Sequence, residues 1–131
     1  MVTWALDSDA VSHAMRGQGG VAERLRQLGP QLIAMPSMVV YEINFGLRKA
    51  GRRKELEAFA AWVRVVTVLD FDLDAADHAA SIRVQLESVN LPIGPVDVLI
   101  AATARRHGCI LVTHHTRDFS RVPDLRLEDW Y

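Results

Sequence analysis

Short runs of apolar residues alternate along this chain with longer stretches in which apolar residues recur at helical spacing. The apolar runs predict strands at positions 2–6, 32–35, 65–69, 109–112 and 125–127. Helical spacing is found at 10–15, 21–28, 37–47, 56–63, 75–86 and 98–104. Because strands that are separated by helices pair in parallel, this order predicts an α/β fold, a three-layer α/β/α sandwich around a central, mainly parallel sheet.

Candidate capping residues, prolines and a glycine predict where several helices begin and end. Ser37 is a candidate N-cap of the helix over 37–47, and Asp74 is a candidate N-cap of the helix over 75–86. A turn is expected at 92–95, where two prolines stand close together, and the helix over 98–104 should end near Gly108.

The composition limits the class of protein. A chain of 131 residues, 50% of them hydrophobic, is expected to form one domain over 1–131. The formal net charge of −1 gives no overall positive field, so contact with nucleic acid would require a local patch. Cys109 is the single cysteine, which excludes an intramolecular disulfide. With no apolar run near the roughly 20 residues that cross a bilayer and no signal peptide before Asp7, the expectation is a soluble, cytoplasmic protein with no membrane contact.

The carboxyl ends of parallel strands are where ligands collect in an open α/β sheet. Asp7 follows the first predicted strand, and Thr113, His114 and His115 follow the fourth. Asp7 or Asp9 could equally serve as the cap of the helix that comes next, and both readings stay open at this point.

Two further acidic residues stand inside or at the start of apolar elements. Glu42 lies in a helix of mostly apolar residues, with Gly46 one turn later; an ion pair with Arg48 or Lys49 would explain it equally well. Asp97 opens an apolar helix, where capping is again a sufficient explanation. If the three carboxylates converge, they suit Mg²⁺ or Mn²⁺, and such an ion activates water for phosphodiester hydrolysis.

Taken together, these stretches resemble the PIN-domain family, and within it the VapC-type ribonuclease toxins of toxin–antitoxin pairs. The resemblance runs over nearly the whole chain. It rests on residues 6–9 (LDSD), 41–46 (YEINFG), 80–83 (ASIR), 93–102 (IGPVDVLIAA), 111–119 (LVTHHTRDF) and 122–130 (VPDLRLEDW).

The resemblance implies roles for individual residues. Asp7 and Asp97 match metal-binding positions of the family, and Glu42 matches a helix glutamate that lines the same pocket and acts through metal-bound water. Ser8 stands where threonine is usual and keeps its hydroxyl, while Asp9 replaces a common asparagine.

The resemblance also implies an activity and partners. The expected function is a Mg²⁺- or Mn²⁺-dependent endoribonuclease that cleaves a structured RNA such as tRNA or rRNA, forms a homodimer and is inhibited by a cognate VapB-type antitoxin. The alternative is a catalytically degenerate PIN domain that binds RNA or antitoxin without cutting.

The main departure from the family pattern follows the fourth strand. The fourth acidic position falls on His115, which is interpreted as a polar residue at the pocket edge, although a neutral imidazole there could bind metal and would favour Mn²⁺. Asp118 could supply a carboxylate in its place.

Other signals in the sequence are weaker. Five of the seven residues at 48–54 are Arg or Lys, which fits either phosphate contacts or a solvated turn. The spacing of His107, Cys109 and the two adjacent histidines matches no compact zinc motif. Residues 7–11 resemble the DxDx(V/T) signature of haloacid-dehalogenase-type phosphatases, but the only lysines are Lys49 and Lys54 and no Asp-Asp pair follows.

Overall fold

In the computed structural model, which describes residues 2–17 and 19–131, the chain forms a five-stranded sheet flanked by helices. The strands are β1 (Trp4–Leu6), β2 (Ile33–Pro36), β3 (Thr67–Leu69), β4 (Ile110–Val112) and β5 (Leu127–Glu128). The helices are α1 (Ser8–Met15), α2 (Gly19–Gln27), α3 (Ser37–Lys49), α4 (Arg53–Val63), α5 (Leu73–Ser88), α6 (Pro95–Arg106) and the short α7 (Thr116–Phe119). A 3₁₀ turn over Pro30–Leu32 leads into β2.

The sheet has the order β3-β2-β1-β4-β5, and each of these neighbouring pairs is parallel. The predicted α/β/α sandwich is confirmed. Leu6 pairs with Val112, so the central strands β1 and β4 end side by side. Asp7 and Thr113, the next residues of the two strands, therefore leave the same edge of the sheet.

The core lies on both faces of this sheet. Strand β4 is buried at each of its positions, as expected for a strand covered on two sides. Phe59 of α4 and Phe119 of α7 are each 1% exposed and are among the largest buried side chains. On α6 the buried positions include Ala101, Ala102 and Ala104, whose small side chains let this helix pack closely against its neighbours.

The helix starts differ from two sequence predictions. Asp72, not Asp74, caps α5: its Oδ1 accepts a hydrogen bond of 2.8 Å from the Ala75 N–H, and the helix begins at Leu73. Asp74 is a residue of the first turn. Ser37 is likewise inside α3, because the helix begins at that residue and Pro36 holds the N-cap position.

Several predicted strands also begin later. Val65 and Val66 still bond to the Trp62 carbonyl at the end of α4, so β3 starts at Thr67, and Leu32 belongs to the 3₁₀ turn before β2. In the described part of the chain, no helix combines the length and the apolar character needed to cross a membrane.

Candidate active site

Asp7 lies at the centre of the candidate site. It is 4% exposed, and its Oδ1 accepts a hydrogen bond of 2.8 Å from the Ala10 N–H at the start of α1. Its backbone N–H also donates to the Val112 carbonyl at 3.2 Å. Burial raises the pKa of the Asp7 carboxyl, while the Thr113 hydroxyl and the Ala10 N–H act in the opposite direction. Asp7 is therefore a buried helix cap, and it caps α1 through Oδ1.

Glu42 reaches this region from α3. The Ser8 hydroxyl donates a hydrogen bond to Oε1 of Glu42 and so ties the first turn of α1 to the middle of α3. Within residues 2–17 and 19–131, neither Arg48 nor Lys49 forms an ion pair with this carboxylate. The ion-pair explanation of Glu42 is therefore wrong, and its half-buried charge faces the site with a serine as its partner.

Asp97 stands in the first turn of α6, but it is not the cap. The helix begins at Pro95, Gly94 holds the N-cap position and no side chain caps this end. Burial raises the pKa of the Asp97 carboxyl; the charges of Glu42, Asp118 and Asp9 add to this effect, whereas His115 opposes it. The capping explanation of Asp97 is wrong, and these influences place Asp97 among the other acidic side chains of the site.

His115 lies at the rim. Its Nε2 is 2.5 Å from Oδ2 of Asp9, and both side chains are more than half exposed. Its backbone N–H donates to the Thr113 hydroxyl at 2.9 Å. The hydrogen bond to Asp9 raises the pKa of the His115 imidazole, and the charges of Asp7 and Asp97 raise it further. Since His115 already pairs with Asp9, the arrangement fits the interpretation as a pocket-edge residue.

Asp118 takes a peripheral position. It is half-buried on α7, and Oδ1 lies 3.7 Å from Nη1 of Arg121. It is close enough to Asp97 to raise the pKa of that carboxyl.

The carboxylates of the site lie in the same region of the structure, but they do not form a complete set of ligands around one point. Among the described residues, no group of three Asp, Glu, His or Cys side chains is disposed to hold one metal ion as it stands. The donor chemistry nevertheless fits a hard divalent cation, because Asp7 and Asp97 are oxygen donors whose ionised forms are disfavoured by burial. A bound cation would relieve that cost.

Among the described residues, the histidines and the cysteine do not come together as a zinc site. The Cys109 thiol is buried and lies 3.1 Å from the Thr3 hydroxyl. His107 contacts the Asp70 carbonyl at 3.1 Å, and His114 contacts Asp129 at 3.0 Å. Each group has a different partner.

Sequence reasoning missed an aromatic cluster beside the acidic residues. The Tyr131 ring lies 4.4 Å from the His13 ring and 4.5 Å from the His114 ring, between centroids. Its backbone N–H donates to Oδ1 of Asp129 at 3.0 Å, and Oδ2 of the same carboxylate contacts His114. The pKa of the Tyr131 phenol is raised well above its usual range by burial and then by the charge of Asp7. No short sequence pattern brings these residues together, so only the fold reveals the cluster.

Comparison with known proteins identifies the architecture. The family model for the PIN domain matches residues 5–125. The tRNA(fMet)-specific endonuclease VapC of Shigella flexneri is 32% identical over 131 residues, with 99% of each chain covered. Ribonuclease VapC2 of Rickettsia felis is 30% identical over 99 residues, which cover 75% of this chain and 74% of the relative. A chain in the crystal structure of DNA-bound VapBC from Salmonella typhimurium has a TM-score of 0.91 at 28% identity, covering 100% of both chains.

The chain therefore belongs to the PIN-domain family. Within that family it falls among the VapC ribonucleases, the toxin class of toxin–antitoxin pairs. The resemblance inferred from the motifs is confirmed.

Proposed function

We propose that this chain is a divalent-metal-dependent endoribonuclease toxin that hydrolyses phosphodiester bonds in a structured RNA, a tRNA or an rRNA, in the cytoplasm. One observation carries the proposal: Asp7, directly after β1, and Asp97, in the first turn of α6, both have a carboxyl pKa raised by burial, and the charge of the same His115 acts on both. Burial disfavours the ionised form of both carboxylates, and a bound cation or substrate would compensate for that cost.

Each site residue would have a different role in the reaction. Asp7 and Asp97 would hold Mg²⁺ or Mn²⁺ directly. When bound, such a cation lowers the pKa of a water molecule and neutralises charge on the phosphate. Glu42, oriented by the Ser8 hydroxyl, would accept a hydrogen bond from the attacking water.

Residues at the rim would orient the substrate. The pairing of Asp9 with His115 would hold the imidazole at the rim of the acidic site, where the RNA would pass it. Thr113 would hold the Asp7 carboxylate, and Asp118 would stay at the periphery.

Sequencing of RNA 5′ ends tests the proposal. The purified protein is incubated with total bacterial RNA in Mg²⁺, in Mn²⁺ or in EDTA, and new ends are mapped. New ends at a few positions are expected with either metal and not in EDTA. Asp7→Asn should abolish them, because it removes the charge at constant volume.

The control is Asp124→Asn. Asp124 is exposed, outside the acidic site and at a φ of 61°, which asparagine tolerates. An active Asp7→Asn protein would refute the assigned role of Asp7. A wild-type protein that binds RNA and metal without producing new ends would instead be a non-cutting PIN domain.

The partners follow from the same relatives. A chain of VapBC2 from Rickettsia felis, bound to a fragment of promoter DNA, has a TM-score of 0.89 to this chain at 25% identity. We infer that this chain pairs with a VapB-type antitoxin. Co-expression with a VapB-type protein of the same genome should yield a stable complex without ribonuclease activity; a mixture that stays fully active would exclude that partner.

We further propose that the toxin is a homodimer. Leu73 and Val84 of α5 are 88% and 70% exposed, and they lie on one side of the helix at a spacing of eleven residues. Light scattering after gel filtration should give twice the monomer mass of 14.6 kDa, and Val84→Glu should shift it towards the monomer.

A further inference from the structure

A groove of about 580 Å³ opens from the acidic site and runs between α1 and α3 to the α3–α4 turn. We call it the α1–α3 groove. Ser8 and Glu42 line its inner end, and Arg16, Arg52 and Glu55 line its outer end. Ser8 and Arg16 are eight residues apart on α1, which corresponds to about 12 Å along the helix axis.

The floor of the groove contains an unexplained glycine. Gly46 lies inside α3, one turn after Glu42, where glycine costs roughly 1 kcal/mol relative to alanine. Apart from its chain neighbours and the nearby backbone of α3, a Cβ placed on Gly46 would meet no atom of the described residues within 4 Å, and its φ lies outside the left-handed region. Neither packing nor backbone conformation therefore requires glycine here, and what the absent side chain preserves is open space beside Glu42.

The other walls of the groove are formed by apolar side chains and by arginines. Met15, Ile43 and Leu47 give the groove an apolar side, which suits the face of a nucleobase. Arg52 is 63% exposed and is only loosely paired with Glu55, at 3.6 Å. Arg16 is exposed and, within the described chain, forms no salt bridge. Both guanidinium groups can therefore bind an anion.

We propose that the α1–α3 groove seats the ribonucleotide next to the scissile phosphate, with its base on the apolar side and its outer phosphate on Arg52 and Arg16. This inference rests on the proposed ribonuclease function and adds the path by which the RNA strand leaves the acidic site. A nucleotide fits this groove because Ser8 and Glu42 belong both to the groove and to the acidic site. The cleft between α5 and α6 contains none of the site residues.

The experiment fills the groove without disturbing the core. A series of Gly46→Ala, Gly46→Leu and Gly46→Trp adds increasing volume at a position where the first atom meets nothing. Ala61→Trp is the matched control, since Ala61 is exposed on α4 and does not line the groove. The probe is bacterial tRNA labelled with fluorescein at the 3′ end; its Kd is measured by anisotropy in EDTA, and its cleavage is followed after Mn²⁺ is added.

The expected result is a Kd for tRNA that rises with the added volume, reaching at least about tenfold for Gly46→Trp, with cleavage lowered roughly a hundredfold. Ala61→Trp should match the wild type. A second pair of variants remains informative should Gly46→Trp fail to fold. Arg52→Gln should weaken tRNA binding and reduce the slope of log K against log salt by about 1, whereas Arg64→Gln, outside the groove, should do neither.

Three results would overturn the inference. In the first, Gly46→Trp and Arg52→Gln bind and cut RNA as their controls do. This result would overturn the role of the groove but not the proposed ribonuclease function. The second is unchanged cleavage by Gly46→Trp combined with loss of inhibition by the VapB-type protein, which would assign the groove to the antitoxin. The third is a wild-type protein that cuts neither tRNA nor total RNA, which would remove the proposed function and this inference together.

Discussion

The Ser8 hydroxyl donates a hydrogen bond to Oε1 of Glu42, across 34 positions of sequence and between two different helices. Glu42 is half-buried on α3, and its hydrogen-bond partner is a neutral hydroxyl. The bond thereby links the start of α1 to the middle of α3, and it orients the Glu42 carboxyl group, whose charge acts on Asp97.

Removal of this hydroxyl should affect activity more than stability. Ser8→Ala is expected to lower the cleavage rate about tenfold, the kinetic equivalent of one hydrogen bond to a charged group. Ser8→Thr keeps the hydroxyl and should retain most of the rate. Both are measured by single-turnover cleavage of the mapped RNA, with Ser120→Ala, at an exposed position away from the site, as the control. Equal rates for Ser8→Ala and Ser8→Thr would contradict a role for the hydroxyl.

The cap of α5 provides a test of the fold. Asp72 accepts the Ala75 N–H and also lies 3.4 Å from Arg106, whereas the contact of Asp74 among the described residues is an exposed pairing with Arg106 at 3.1 Å. Asp72→Ala should therefore lower Tm by several degrees and Asp74→Ala by less, with Asp72→Asn close to the wild type. Equal losses for the two alanine variants would contradict the assigned cap.

The pH dependence of this cap follows from its pKa. The Ala75 N–H, more than any other group, lowers the pKa of the Asp72 carboxyl below 3.8. The ionised form is thus favoured in the folded state, so the stabilisation is complete above 3.8 and is lost as the pH falls through the lower, folded pKa. The difference in Tm between the wild type and Asp72→Ala should shrink over that acidic range.

The order of elements could be predicted from the sequence because it depends on local pattern. Apolar runs and helical spacing were sufficient to predict the order of the five strands, the parallel sheet and six of the seven helices, but not the short α7. The position of Asp7 at the edge of the sheet followed from its place directly after β1. Three helix starts were less accurately predicted, since Ser37, Asp74 and Asp97 are all acceptable cap residues and only the geometry shows which backbone N–H is capped.

The partners of the site residues could not be predicted from the sequence. His115 pairs with Asp9 from 106 positions away, and the Tyr131 ring contacts the His13 ring edge-on and the His114 ring at a tilt. These contacts depend on β1, β4 and β5 lying side by side, which follows from tertiary packing and leaves no signal in any short window. From the sequence, His115 is interpreted as a polar residue at the pocket edge; the structure adds that His114 and His115 each contact a separate carboxylate, Asp129 and Asp9.

The pairing of His115 with Asp9 leads to a prediction about metal use. His115→Asn should retain cleavage in Mg²⁺ within about threefold, because an exposed ion pair contributes little and asparagine still offers a polar side chain at the rim. The measurement is the cleavage rate in Mg²⁺ and in Mn²⁺, with His107→Asn as a control for loss of an imidazole outside the site. A large loss in Mg²⁺ that Mn²⁺ restores would instead make His115 a metal ligand.

Asp7→Asn should make the metal-free protein more stable while it abolishes activity. Burial raises the pKa of Asp7 above 3.8, so the folded state favours the protonated form and the ionised form costs stability at neutral pH. That cost is absent at low pH, develops as the pH rises from 3.8 through the folded pKa and is constant above it. Asparagine has no such charge, and it caps a helix about as well as aspartate does.

In EDTA, the Tm of Asp7→Asn should therefore exceed that of the wild type at pH 7.5, and the difference should narrow as the pH falls towards 4. Cleavage should drop by roughly three orders of magnitude, the scale expected when a group that stabilises developing charge is lost. Saturating Mn²⁺ should raise the Tm of the wild type more than that of the variant, because the variant keeps Asp97 but lacks one of the two proposed carboxylate ligands. A variant that is less stable than the wild type at pH 7.5 would mean that the charge of Asp7 stabilises the fold. The prediction that the ionised Asp7 carboxylate lowers stability in the absence of metal would then be wrong.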